Sequence, residues 1–186
     1  PFARNAHAHV LAGLAAGADW DVTFVPFSLG QVHVEPGQSP IWERPADDSG
    51  LLALQVGVTV RDTRPDAFVA VHGALFSGRH DHGLDLRDRD ALAKVLLDQG
   101  VDADEVLAAV DDGSAIATVR SEHEASVVEH DVWGVPTFVH DGAAAFVRLL
   151  DRPGDDPDHA VATIERVVDL LAVPNLNELK HTTVPF

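Results

Sequence analysis

The spacing of apolar residues changes along the chain, and each change marks a change of predicted secondary structure. Residues 2–16 are rich in Ala and Leu, and their apolar positions recur every three or four residues, which predicts a helix that ends at Gly17. Residues 22–27, VTFVPF, are β-branched and aromatic, a composition typical of a strand. Residues 29–50 contain several prolines and glycines, and they predict a long loop.

The middle of the chain shows only the helical period. Residues 51–61 and 65–77 are mostly apolar, and Pro65 marks the start of the second segment. The later segment RDALAKVLLDQG carries its apolar residues on one face and ends at Gly100. Asp102 stands three residues before Glu105, the spacing of a helix-capping box. A longer helical period runs from 114 to 130. We therefore expect residues from about 50 to 130 to be helical and to contain no strand.

Towards the end of the chain, the spacing of apolar residues predicts a β-hairpin followed by a helix. Residues 136–140, PTFVH, predict a strand, and the dipeptide Asp141-Gly142 is typical of a type I′ turn. AAFVRLL, residues 144–150, predicts the returning strand. Asp156 precedes a proline and a helical stripe of apolar residues, so we expect it to cap the last helix.

The order of these elements predicts an α/β fold. A helix and a strand near the start have to share one sheet with the hairpin near the end, and the helical block between them is then an insertion. We expect one unit made of residues 1–45 and 131–186, and an inserted all-helical subdomain at 46–130.

Pro136 opens a predicted strand, a position where proline is tolerated although it cannot donate to the sheet. The surrounding GVPTFV resembles the cis-proline loop of the DsbA-like family of thioredoxin-fold proteins. Three other stretches carry the same resemblance, which covers the topology of the whole chain. They are PFAR at 1–4, SLGQVHV at 28–34, and the tail NELKHTTVPF at 177–186, which is similar to that of an actinobacterial branch that includes mycothiol-dependent nitroreductases.

This resemblance implies a thioredoxin-like fold with an inserted all-helical subdomain. Its first strand would precede Pro1 and would take roughly ten residues with its turn. The resemblance further implies a cis bond between Val135 and Pro136, facing the N-terminus of the first helix. It places the catalytic positions at Pro1, Phe2 and Ala3, together with Val135 and Pro136.

The redox motif of the family is Cys-x-x-Cys, and the present chain departs from it. The resemblance places the nucleophilic thiol directly before Pro1 and Ala3 at the second cysteine, and none of the 186 residues is a cysteine. Dithiol exchange needs a second thiol to resolve the mixed disulfide. We therefore expect a monothiol enzyme that uses a small thiol such as mycothiol or glutathione as cosubstrate and has no bound cofactor.

The resemblance also suggests which side chains line a substrate pocket. Ser28 opens the segment 28–34, where related proteins carry a substrate-lining loop. Phe27 and Trp133, together with Trp42, could line a pocket for an aromatic substrate, and Trp133 directly precedes the proline loop. We expect Phe27, Ser28 and Trp133 to bind substrate. Core packing explains Phe27 at least as well.

Composition restricts the partners. The formal net charge of −17 disfavours nucleic acid and anionic membranes, and no run of about 18 apolar residues suggests a membrane span. We expect a small thiol or a thiol-containing substrate as partner and a cytoplasmic location. Monomer and homodimer both remain open.

Histidines do not predict a metal site. His7 and His9 are two residues apart on a helix, so they point to different sides and cannot chelate together. His80-Asp81-His82 could ligate a metal with help, but such a triplet is more often a solvated turn.

Three functions remain at this point. The first is a DsbA-like thiol oxidoreductase that forms a mixed disulfide or adduct with a low-molecular-weight thiol. The second is a thioredoxin-fold binding module without a nucleophile. The third is a thiol-dependent isomerase or transferase similar to the kappa-class branch. The residues that precede Pro1 distinguish the first two.

Overall fold

Helices make up most of the fold, with a single hairpin near the end of the chain. The computed structural model describes residues 1–183, so the last three residues of the tail NELKHTTVPF lie outside the described residues. Within them the chain forms helices α1 Phe2–Ala15, α2 Leu29–Val32, α3 Leu51–Thr63, α4 Pro65–Asp81, α5 Arg89–Asp98, α6 Ala103–Asp111, α7 Ser114–His130 and α8 Pro157–Leu171, and strands β1 Thr137–His140 and β2 Ala143–Phe146.

The predicted helix ends are confirmed where a local signal marks them. Gly17 adopts a φ of 90° directly after α1, a conformation that glycine reaches without strain. The Asp102 side chain accepts hydrogen bonds from the Asp104 and Glu105 amides at the start of α6. Asp156 caps α8 in the same way.

The hairpin is confirmed, although its second strand is shorter than predicted. β1 and β2 pair antiparallel, and Asp141 and Gly142 both have positive φ, as a type I′ turn requires. The predicted strand over 144–150 ends at Phe146. Beyond it the backbone turns to other partners, because the carbonyl oxygen of Leu149 accepts a hydrogen bond from the Asn5 side chain at 2.9 Å.

The predicted strand at 22–27 is wrong, since these residues join no sheet in the described structure. Side chains bind its backbone instead. Arg61 donates to the carbonyl oxygen of Phe24 at 2.9 Å, and the amide of Ser28 donates to Nδ1 of His123 at 3.3 Å. Only the end of the segment, Pro26 and Phe27, is buried, so its apolar composition does not reflect strand pairing.

The predicted loop at 29–50 is partly structured. It contains the short helix α2, whose first turn is capped by the Ser28 hydroxyl, and two 3-10 turns at Ile41–Glu43 and Pro45–Asp47. Prolines at 40 and 45 explain why the helical turns stay short.

Between residues 50 and 130 the chain forms helices and no strand, which confirms the predicted helical block. Helix α3 lies at its centre and contacts α4, α6 and α7, while α1 packs along α8. The main core lies inside this block and consists of Val56, Val60, Phe68, Val71, Leu75, Leu92, Leu96, Val101, Ala103, Val106 and Leu107. None of the helices within residues 1–183 is long and apolar enough to cross a bilayer.

The far end of α1 is held by a close contact between Gly13 and Trp20. A Cβ on Gly13 would lie 2.3 Å from Cη2 and Cζ3 of the indole ring, so Gly13→Ala should displace Trp20 and lower the free energy of unfolding by roughly 1–3 kcal/mol. Urea unfolding measures this loss. Gly73→Ala in α4 is the matched control, because a Cβ there meets nothing within 4 Å and the better helix former should add roughly 0.5–1 kcal/mol. Equal effects at both positions would contradict the packing described for Trp20.

Candidate functional site

Helix α1 begins with an uncapped first turn. Pro1 occupies the N-cap position without a side-chain hydrogen bond, and the first turn contains no acidic residue. The amide of Asn5 donates to the Pro1 carbonyl oxygen at 3.0 Å, and the preceding amides have no partner within the helix. The partial positive charge at this end of α1 therefore favours an anion or a thiolate.

The proline loop, residues 134–136, is attached to strand β2. The Val135–Pro136 peptide bond is cis. The amide of Val147 donates to the Pro136 carbonyl oxygen at 3.0 Å, and the Thr137 hydroxyl donates to the Gly134 carbonyl oxygen at 2.7 Å. These bonds hold the loop against the end of the hairpin.

A cation between two aromatic rings connects this hairpin to α1. The Arg148 guanidinium lies 5.6 Å from the centre of the Phe2 ring and 5.9 Å from that of Phe146. The Phe146 ring in turn lies 4.7 Å from the ring of Trp133, which is 63% exposed. We call Phe2, Arg148, Phe146 and Trp133 the aromatic wall. It runs from the first turn of α1 to the residue before the proline loop.

An open cavity of about 470 Å³ lies beside the first turn of α1. We call it the α1 cavity. Its polar lining comes from α1, from the end of α4 and from the segment after β2. The lining residues are Pro1, Arg4, Asn5, His80, Leu150, Asp151 and Arg152.

The charge of Arg4, beside the α1 cavity, is balanced by a neighbouring carboxylate. Both terminal nitrogens of Arg4 bind the carboxylate of Asp81, and the Ser77 hydroxyl donates to the same carboxylate at 2.9 Å. The Arg4 guanidinium holds the pKa of Asp81 well below its usual range. This ion pair joins the first turn of α1 to the end of α4.

A histidine pair lies behind the first turn of α1. Nδ1 of His72 is 3.1 Å from Nε2 of His7, and the rings of Phe24 and Phe76 pack against both. Burial lowers the pKa of His7 to about 4, and burial together with the neighbouring His7 lowers that of His72 to about 3. Both imidazoles are therefore neutral at neutral pH.

The remaining histidines form no evident metal centre. As expected, His7 and His9 point to different sides of α1, and His9 packs against His159 of α8. Within residues 1–183 no group of three His, Cys, Asp or Glu side chains is placed to hold a metal ion.

The site residues that the sequence predicts form two groups, one at the aromatic wall and the α1 cavity and the other in the interior. Phe2 and Trp133 belong to the aromatic wall, and Pro1 lines the α1 cavity. Phe27 and Ser28 instead lie in the interior, where Phe27 packs at 4.3 Å against the His123 ring and Ser28 is 1% exposed.

Ala3 follows Phe2 in the half-buried first turn of α1. Val135 and Pro136 are half-buried in the proline loop.

Sequence reasoning did not identify Arg148. It follows Phe146 by two residues, and the predicted strand over 144–150 would place both side chains on one face, but β2 ends at Phe146 and Arg148 lies just beyond it. The contact of Arg148 with Phe2 joins residues that are distant in sequence, so no local pattern predicts it.

Comparison with known proteins gives a family and one relative. The family described as DSBA-like thioredoxin domain matches residues 51–154, a range that includes the helical block and the proline loop. An uncharacterized protein of Mycobacterium tuberculosis is 29% identical over 160 residues, which cover 86% of this chain and 68% of that protein.

Proposed function

The chain belongs to the DSBA-like thioredoxin domain family, and from that premise we propose that it is a monothiol oxidoreductase that exchanges disulfides with a low-molecular-weight thiol. The family is of the thiol–disulfide oxidoreductase type. The observation that carries the proposal is the uncapped first turn of α1, joined to the proline loop by the aromatic wall.

The reacting thiol, in this proposal, belongs to the residue that precedes Pro1. The amides of the first turn stabilise its thiolate and lower its pKa below the free value of about 8.5. The proline loop lies opposite and presents the backbone of Val135 to the substrate.

The reaction has two exchange steps. In the first, the thiolate attacks one sulfur of a small disulfide, a new S–S bond forms, and the other half leaves as a thiolate with the electron pair. In the second, a free small thiolate attacks the small-thiol sulfur of the mixed disulfide, a small disulfide forms, and the enzyme sulfur leaves as a thiolate with the electron pair. The small thiol performs the second step because Ala3 offers no sulfur. Mycothiol and glutathione are both candidates for this partner.

The test uses the full-length protein and intact mass measurement. Incubation with the disulfide of mycothiol or glutathione should add the mass of one small thiol, and addition of the reduced thiol should remove it. Replacing the residue that precedes Pro1 with serine should abolish the adduct. If no adduct forms with the unchanged protein, the catalytic proposal fails and the chain acts as a thioredoxin-fold binding module.

A further inference from the structure

Arg148 is a cation without an acidic partner in the part of the chain that the structure describes. None of the ion pairs formed there includes Arg148. Its isolation is notable because Asp and Glu number 30 against 13 Lys and Arg. Arg4, also at the first turn of α1, pairs with Asp81. Arg152, which lines the α1 cavity, resembles Arg148 in forming none of these ion pairs.

The two aromatic rings hold Arg148 in a position that leaves its hydrogen-bond donors free. The guanidinium contacts Phe2 and Phe146 through cation–π attraction, which is worth about 0.5–1 kcal/mol at an exposed site. The Arg148 side chain is exposed, and its N–H groups form a planar fork that matches the two oxygens of a carboxylate.

The location of Arg148 connects it to the proposed reaction. It contacts Phe2 in the first turn of α1, next to the residue that would carry the mixed disulfide. Asn5 binds the carbonyl oxygen of Leu149, so the segment that carries Arg148 is fixed to the same turn.

The charged side chains near Arg148 do not oppose the binding of an anion. Asp81 is already neutralised by Arg4, whereas Asp151 and Arg152 line the α1 cavity with opposite charges. Arg148 therefore adds a positive charge that no described carboxylate balances. In a chain of net charge −17, an anionic substrate needs such a local cation to approach closely.

We propose that Arg148 selects small thiols and disulfides that carry a carboxylate close to the sulfur. The inference rests on the proposed function and specifies its substrate class. The thiolate or disulfide sulfur lies at the first turn of α1 while the carboxylate binds the edge of the guanidinium. Thiols without a carboxylate close to the sulfur make no such contact.

The test compares two disulfides that differ only in the acidic group, those of N-acetylcysteine and of N-acetylcysteine amide. The measured quantity is the second-order rate constant for mixed-disulfide formation by the full-length protein. In Arg148→Gln we expect this rate constant to fall about tenfold for the carboxylate disulfide, the size of one charge-assisted contact, and to stay within about twofold for the amide. Arg166→Gln, which removes an exposed arginine of α8, is the control for net charge and should change neither rate constant.

The outcomes separate the two proposals. Equal losses for both disulfides, or no loss for either, overturn the carboxylate preference while the adduct itself supports the proposed function. Absence of an adduct with both disulfides in the unchanged protein overturns the proposed function and this inference with it. Arg148→Lys, which keeps the charge without the planar fork, should restore part of the preference if the contact is with the carboxylate.

Discussion

Ala3→Cys is expected to free the protein from its dependence on an added thiol. Position 3 lies three residues after the proposed reacting residue, which is the spacing of the two thiols in the family's Cys-x-x-Cys motif. A thiol at position 3 attacks the mixed disulfide within the same molecule and so replaces the external thiol. Its effective concentration exceeds the millimolar concentration at which an external thiol is supplied. At low external thiol, release of the adduct should accelerate on the order of 100-fold.

The measurement follows release of the small thiol from the preformed mixed disulfide as a function of external thiol concentration. Unchanged protein should show a rate proportional to that concentration, and Ala3→Cys a rate independent of it. Ala8→Cys is the control, because it adds a thiol to α1 more than a turn further along. If Ala3→Cys keeps the full dependence on external thiol, the reacting group does not precede Pro1.

Mild acid is expected to destabilise the fold through the His7–His72 pair. The folded protein keeps His7 neutral down to a pKa of about 4, while the unfolded chain binds a proton near 6.5. Between these values the unfolded state holds more protons. Stability is therefore complete above about pH 6.5 and declines as the pH falls towards 4. From pH 7 to pH 5 the loss from His7 is about 2 kcal/mol, and His72 shifts in the same direction.

Urea unfolding at pH 7, 6 and 5 measures this dependence, in a range where the carboxylates contribute little because their usual pKa lies lower. His72→Gln removes one titrating ring and keeps an amide that can bind His7, so it should flatten the dependence on pH. His33→Gln replaces an exposed ring and should leave the dependence unchanged. A free energy of unfolding that is equal at pH 7 and pH 5 would contradict the buried, neutral pair.

Local signals predicted the helix boundaries well. Asp102 and Asp156 cap the helices that follow them, and Gly17 ends α1, because capping depends only on residues a few positions apart. The segment 22–27 could not be assigned in this way. Its β-branched pattern fits a strand, but the groups that bind its backbone belong to Arg61 and His123, which are distant in sequence.

The candidate site was only partly predictable from the sequence, because some of its contacts join residues that are distant along the chain. Family resemblance pointed to Pro136 and to the first turn of α1, and the strand period could pair Phe146 with Arg148. No sequence pattern shows that Arg148 meets Phe2, since that contact depends on how the hairpin packs against α1. Phe27 has the same apolar character as Phe2, yet it lies in the interior because it packs against His123 of α7.

The central claim is that disulfide exchange takes place at the first turn of α1, and peptide mapping of the mixed disulfide tests it most directly. The full-length protein is loaded with glutathione disulfide, digested with trypsin without reduction, and the modified peptide is identified by its mass. Trypsin cleaves after Arg4, so we expect the adduct on the peptide that ends at Arg4, on the residue preceding Pro1. An adduct on any other peptide, or an unmodified peptide ending at Arg4, would contradict it.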